Sequence, residues 1–183
     1  MTPLDRSLRS LRERQATPHI PRGARLLDVG CGDGHFLRSL GPRIHDAVGI
    51  DPDAPASDSA AAGRPRYRLI RGRFPYELDT IGQFDVIAML AVFEHFNDTD
   101  RPRAVEACRR LLRPGGRVVM TVPAPVVDGI VHALVKLRVA HGMDLESHHG
   151  YDPEETPRLF TGFRLARRER FELGLNHLFV LER

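Results

Sequence analysis

The chain has 183 residues, a formal net charge of +3 and two cysteines. This length predicts one domain, residues 1–183, with a sizeable buried core. Two cysteines exclude a disulfide framework, and no apolar run reaches the roughly 18 residues that a membrane span needs. The basic residues are almost all arginines interleaved with acids, which argues against nucleic acid as a partner. With charged residues in place of a secretory leader, the chain is expected to be cytoplasmic.

The first predicted elements are an amphipathic helix and a strand that leads into a glycine-rich turn. Leucines at helical spacing predict a helix over residues 4–15, and Pro18 and Pro21 separate it from the strand. We therefore expect residues 1–23 to form an N-terminal helix and linker.

The strand ends in glycines at every second position, Gly30, Gly32 and Gly34. Residues without a Cβ can make a tight turn there and let the backbone approach a nucleotide-like ligand. The pattern differs from a dinucleotide fingerprint, because His35 stands where the last glycine of G-x-G-x-x-G would be. Asp28, just before the turn, favours a ligand that carries a cation. The alternative for Asp28 is a turn residue paired with the local backbone.

A second strand is predicted to end at Asp51, with room for one short helix between it and Gly34. The Asp51 carboxylate can accept hydrogen bonds from two ribose hydroxyls at once. The alternative is a helix cap before Pro52.

The rest of the chain predicts further alternation of strands and helices. Residues 53–66 are expected to form a weak helix or a loop. Strands are expected at 67–71, 84–88, 117–122, 163–170 and 177–181. Helices are expected from Asp100 to Arg113, closed by Pro114-Gly115-Gly116, over 126–140 with an apolar face, and from Asp152 with a capping-box pattern. This order predicts an α/β fold with helices on both faces of a parallel sheet.

One stretch of alternating arginines has two interpretations. Its members are Arg64, Arg66, Arg68, Arg71 and Arg73. We favour a solvated edge strand protected by charge, and the alternative is a phosphate-binding stripe on one face of the strand.

At this point the chain resembles the class I S-adenosylmethionine-dependent methyltransferases, in particular small domains of the UbiG and UbiE type. The matching blocks span residues 24–122 and are Leu27–His35, Ala47–Asp51, Phe84–Leu90, Glu94-His95 and Leu111–Val119. The resemblance implies a Rossmann-like, doubly wound, mostly parallel sheet of seven strands with the last strand antiparallel. It also implies that residues 24–122 bind S-adenosylmethionine, that 123–151 form a substrate lid, and that 152–183 add a helix and a strand pair.

The resemblance implies a set of cofactor-binding residues. They are Asp28, Gly30, Cys31, Gly32, Gly34, Asp51, Pro52, Arg73, Phe74 and Leu90. The adenine side departs from the family, because many relatives carry an acid just after strand three, where this chain has Gly72-Arg73-Phe74. Backbone groups there are expected to replace the acid, with the Phe74 ring on the adenine; the alternative for Phe74 is an ordinary core residue.

The candidate catalytic residues are histidines and one acid. His148 and His149 lie in a loop where the family builds its lid, and either has a pKa suited to deprotonating an acceptor hydroxyl. The alternative is that the loop histidines bond to the backbone. Glu94 and His95 match a family motif and are the next candidates, or they only fix local hydrogen bonds. The spacing of the loop histidines and acids fits no standard zinc site, so no metal is expected.

We therefore expect S-adenosylmethionine-dependent methyl transfer, by in-line displacement, to a hydroxyl oxygen of a small-molecule acceptor. The alternative is a non-catalytic S-adenosylmethionine-binding regulatory or partner subunit. Nucleic acid is not the expected acceptor, because Met89-Leu90-Ala91-Val92 lacks the Asn/Asp-Pro-Pro-aromatic run of DNA amino-methyltransferases. The apolar helix over 126–140 leaves two options open: a cover over a lipid-like or carrier-linked acceptor, and a contact with a partner subunit, as in a homodimer.

Overall fold

The computed structural model describes residues 3–55, 57–59, 66–78, 82–124 and 151–183. Its strands are β1 (Ala24–Val29), β2 (Ile44–Asp51), β3 (Ser57–Ser59), β4 (Arg66–Arg71), β5 (Phe84–Leu90), β6 (Leu112–Pro123), β7 (Arg164–Phe171) and β8 (Asn176–Glu182). Its helices are α1 (Pro3–Ala16), α2 (His35–Leu40), α3 (Asp100–Leu111) and α4 (Thr156–Leu159). Within these ranges, no helix is long and apolar enough to cross a membrane.

The described strands form one sheet in the order β3-β4-β2-β1-β5-β6-β8-β7. From β4 to β6 all neighbours are parallel, and β8 runs antiparallel between β6 and β7. This confirms the predicted doubly wound, mostly parallel α/β sheet of seven strands with its last strand antiparallel. The short β3 is an additional strand, because it pairs antiparallel with the outer edge of β4 in a region where a weak helix or loop was expected.

The arginine stripe is not the charged edge strand that we expected. Because β3 covers β4, the edge of the sheet lies one strand further out. Arg66, Arg68 and Arg71 are all exposed, but Arg71 lies three residues after Arg68 and so points to the opposite face. Its Nε donates a hydrogen bond to the backbone oxygen of Ala54, 3.1 Å away. A continuous stripe on one face is therefore wrong.

Two apolar layers cover the two faces of the sheet. On one face, Val86 and Ala88 of β5 pack with Ala16, Phe36 and Leu37 of α1 and α2. On the other face, Ile87 and Met89 of the same strand pack with Ala104, Cys108 and Leu111 of α3 and with Phe93, Tyr151 and Phe160. This alternation is what strand geometry requires of a sheet buried on both sides.

Two helices differ in detail from their predictions. Helix α3 ends at Leu111, and Pro114-Gly115-Gly116 lies inside an irregular part of β6, where Leu112 pairs with Phe84 and Arg117 with Val86. Helix α1 has the expected extent, but Leu8 is only half-buried and Leu11 does not face the core. Leu11 is 38 % exposed, whereas the Glu13 side chain is buried. The predicted helix over 126–140 and the loop up to Gly150 lie outside the described residues.

Candidate functional site

The glycine turn lies at the carboxyl end of β1, beside the ends of β2 and β5. Gly30, Gly32 and Gly34 all have positive φ angles, of 74°, 52° and 78°, which a Cβ disfavours. A methyl group added at Gly30 would lie 2.2 Å from Cγ2 of Val92, in the loop after β5. One added at Gly32 would meet no protein atom within 4 Å. Gly30 thus allows Val92 to pack closely against the turn. At Gly32, one face of the backbone stays open to a ligand at the edge of the sheet.

Asp51 joins the end of β2 to this turn. Its Oδ2 accepts from the backbone N–H of Gly32 at 3.0 Å, and its Oδ1 accepts from the N–H of Asp53 at 2.8 Å. Pro52 between them is exposed. Each carboxylate oxygen can accept a further hydrogen bond, so Asp51 both fixes the turn and presents acceptors beside the open backbone of Gly32.

Asp28 is a buried acid beneath the turn. It is 3 % exposed, and its Oδ2 has no hydrogen-bond partner among the residues that the structure describes. Burial raises the pKa of Asp28 to about 8, and the carboxylates of Glu13 and Asp51 add to this effect while Arg9 opposes it. A buried carboxylate in this state is suited to receive a cation or a hydrogen-bond donor from a ligand.

Cys31, also in the turn, is a packing residue. Its Sγ would lie 2.7 Å from a methyl group added at Gly49 of β2, so the thiol fills the space that this glycine leaves. Burial raises the pKa of the Cys31 thiol, which keeps it protonated and unreactive.

The loop after β4 contains an acid that the sequence reasoning missed. Glu77 Oε2 accepts from the backbone N–H of Arg73 at 2.6 Å and lies over Gly72. The Arg73 side chain is exposed. Phe74 is 5 % exposed, with its ring centroid 6.4 Å from that of Phe96, so its side chain packs in the core, and its contact with adenine stays a prediction. No sequence pattern indicated that Glu77 folds back towards Gly72.

An ionic cluster attaches helix α1 to the glycine turn, which the sequence reasoning also missed. Nδ1 of His35 lies 3.0 Å from Glu13 Oε1, and Arg9 Nε donates to the same oxygen at 3.1 Å. Arg9 also donates to Asp33 Oδ1 at 2.8 Å, and Arg38 donates to Asp33 Oδ2 at 3.0 Å. The spacing of Arg9 and Glu13 predicts a pair within α1, but nothing in the sequence links that pair to the turn.

Glu94 and His95 lie in a 3-10 turn, Phe93–His95, which Ala91 and Val92 connect to Leu90 at the end of β5. Leu90 is half-buried, His95 is exposed and Glu94 is 2 % exposed. The pair therefore lies at the same sheet edge as the glycine turn, with the acid directed inwards.

Tyr151 packs on this part of the edge. Its ring meets that of Phe93 edge to face at 5.3 Å, and the Arg101 guanidinium lies 4.8 Å from the Tyr151 centroid. The Tyr151 hydroxyl and Thr156 Oγ1 are 2.6 Å apart and both are buried. Burial raises the pKa of the Tyr151 hydroxyl, so this group stays neutral. His148 and His149, the other predicted catalytic residues, lie outside the described residues.

Comparison with known proteins gives a consistent result. A family model described as "Methyltransferase domain" matches residues 3–169. A ubiquinone biosynthesis O-methyltransferase of Psychrobacter cryohalolentis is 31 % identical over 168 residues, covering 85 % of this chain and 64 % of that protein. One from Acinetobacter baumannii is 32 % identical over 143 residues, covering 73 % of this chain and 60 % of that protein. The chain thus spans somewhat less than two thirds of the length of these relatives.

Among solved structures, the fold is similar to that of the N-methyltransferase NodS from Bradyrhizobium japonicum in complex with S-adenosylhomocysteine. The TM-score is 0.66 at 15 % sequence identity, with 99 % of this chain and 88 % of that chain covered. At this identity the similarity concerns the fold.

Proposed function

This chain belongs to the class I S-adenosylmethionine-dependent methyltransferases, and we propose that it transfers a methyl group to a hydroxyl oxygen of a small-molecule acceptor. The main support for the proposal is a group of hydrogen-bond acceptors at one edge of the sheet. There, Asp51 is bonded to the open backbone of Gly32, and a buried oxygen of Asp28 has no partner among the described residues.

The site residues fit the parts of S-adenosylmethionine. Asp51 accepts from the two ribose hydroxyls, and Asp28 faces the ammonium group of the amino-acid portion. Gly32 allows close approach of that portion to the backbone, and Glu77 accepts from the adenine amino group in place of the acid that follows strand three in relatives. When bound, the cofactor supplies an electrophilic methyl group that an aligned acceptor oxygen takes by in-line displacement.

The acceptor atom is proposed from the relatives and from the candidate bases. The curated relatives are named as O-methyltransferases, which favours oxygen. His148 or His149 removes the hydroxyl proton, with Glu94 and His95 as the next candidates. Tyr151 packs on Phe93, the residue before Glu94.

The test is transfer of radiolabelled methyl groups from S-adenosylmethionine to a panel of catechols (ortho-diphenols), including compounds with an isoprenoid tail. We expect label on a phenolic oxygen with at least one of them, and loss of transfer in Asp51→Ala. Binding of the cofactor without transfer to any compound of the panel would contradict the proposal and favour a regulatory subunit. The tailed compounds test whether a lipid-like acceptor is preferred.

A further inference from the structure

Helix α1 lies beside the glycine turn and places a buried acid, Glu13, next to it. Glu13 is 7 % exposed, and both of its oxygens lie within 3.1 Å of Nδ1 of His35, the residue that follows the turn. Burial raises the pKa of Glu13, as expected for an acid held away from water. A residue that served only to attach α1 to the protein surface would not need to be a buried acid.

Acids outnumber guanidinium groups among the described residues around the turn. The acids are Asp28, Asp51, Glu13 and Asp33, and the guanidinium groups are those of Arg9 and Arg38. Arg38 pairs with Asp33, and Arg9 is shared between Asp33 and Glu13. The Glu13 carboxylate acts on Asp28 strongly enough to raise its pKa further, second only to burial. Glu13 thus opposes the ionisation of Asp28, and a cation beside both acids would favour the ionised form of each.

We propose that Glu13 and Asp28 together form a two-carboxylate subsite for the ammonium group of the cofactor's amino-acid portion, so that α1 is part of the cofactor site. An ammonium group near both acids favours the ionised form of each and gives the buried Oδ2 of Asp28 a hydrogen-bond donor. In this arrangement, His35 and Arg9 are positioning residues that hold the Glu13 side chain over the turn. This inference rests on the proposed cofactor.

The experiment compares two neutral thioether ligands, S-adenosylhomocysteine and 5′-methylthioadenosine, by isothermal titration calorimetry of the full chain. The first carries the ammonium and carboxylate groups and the second lacks both. In Glu13→Gln, we expect affinity for S-adenosylhomocysteine to fall by about tenfold or more, because the charge is lost. Affinity for 5′-methylthioadenosine is expected to stay within about twofold of the wild type.

The matched control is Glu106→Gln on α3, whose side chain is 67 % exposed and pairs with Arg109. It should bind both ligands as the wild type does. Equal losses for the two ligands in Glu13→Gln, or no loss for either, would overturn the inference and leave Glu13 as an attachment point of α1.

A second variant separates charge from geometry if Glu13→Gln folds poorly. Glu13→Asp keeps the carboxylate but shortens its reach to His35, so we expect a lower melting temperature with the preference for S-adenosylhomocysteine over 5′-methylthioadenosine largely kept. Loss of that preference in the folded Asp variant contradicts a role for the charge. If the wild type binds neither ligand, the proposed function fails instead, which distinguishes the two outcomes.

Discussion

At Gly32 an added methyl group affects folding and cofactor binding in different ways, so Gly32→Ala tests the site directly. The φ angle of Gly32 is +52°, and an added methyl group meets no protein atom within 4 Å. The folding cost is therefore limited to the left-handed backbone, roughly 1–2 kcal/mol. For the cofactor the cost is steric, because the methyl group projects from the face that we propose the ligand contacts. We expect a loss of affinity of about tenfold or more, or about 1.4 kcal/mol.

Gly115 provides the matched control for this variant. Its φ angle is +77°, an added methyl group there also meets nothing within 4 Å, and it lies in β6 near the amino end, away from the glycine turn. Urea unfolding should show similar destabilisation in Gly32→Ala and Gly115→Ala, while calorimetry with S-adenosylhomocysteine should show weaker binding only in Gly32→Ala. Equal affinities in the two variants would refute the assignment of Gly32 to the cofactor site.

The other predictions concern pH, metals and the base. Burial raises the pKa of Asp28 to about 8, so cofactor affinity should increase with pH up to about 8 and then level off, and Asp28→Asn should remove this dependence in calorimetry. Folding favours the protonated form of Asp28. The contribution of Asp28 to the free energy of unfolding is therefore full below about pH 4 and is lost as pH rises through about 8. Urea unfolding at several pH values measures this loss. Methyl transfer should survive a chelator, and loss of turnover that one divalent ion restores would contradict this. Once an acceptor is known, either His148→Ala or His149→Ala should lower turnover by roughly 10²–10⁴; if both stay within tenfold of wild type, the base is Glu94 or His95, or none is used.

The sequence predicted the sheet well because each central strand is a short apolar run with a clear end. The apolar runs that were predicted to end at Val29, Asp51 and Ala88 form adjacent parallel strands, as their spacing indicated, and the last of them continues to Leu90. The short β3 was missed because three residues rich in serine carry no periodic signal, and their pairing depends on the free edge of β4. The end of α3 was placed too late because Pro114-Gly115-Gly116 is equally suited to a bulge in a strand.

The site was predictable where its residues are neighbours in sequence and not where tertiary contacts assemble it. The glycine spacing and the acid at the end of β2 indicated the cradle that Gly32 and Asp51 form. By contrast, Glu13 reaches His35 across 22 positions of sequence, and Glu77 reaches the backbone of Arg73 through a turn that no pattern marks. From the sequence alone, charged residues on a helix are expected to be exposed to solvent. Only the fold shows which of them face the protein.

If the edge of the sheet at Gly32 and Asp51 binds S-adenosylmethionine, a calorimetric titration of the full chain should show one bound cofactor per chain. In Asp51→Ala, binding should weaken by on the order of 1–3 kcal/mol, because ribose hydroxyls lose their acceptors and Gly32 loses the bond that fixes its N–H. No binding by the wild type, or unchanged affinity in Asp51→Ala, would show that this edge is not the cofactor site.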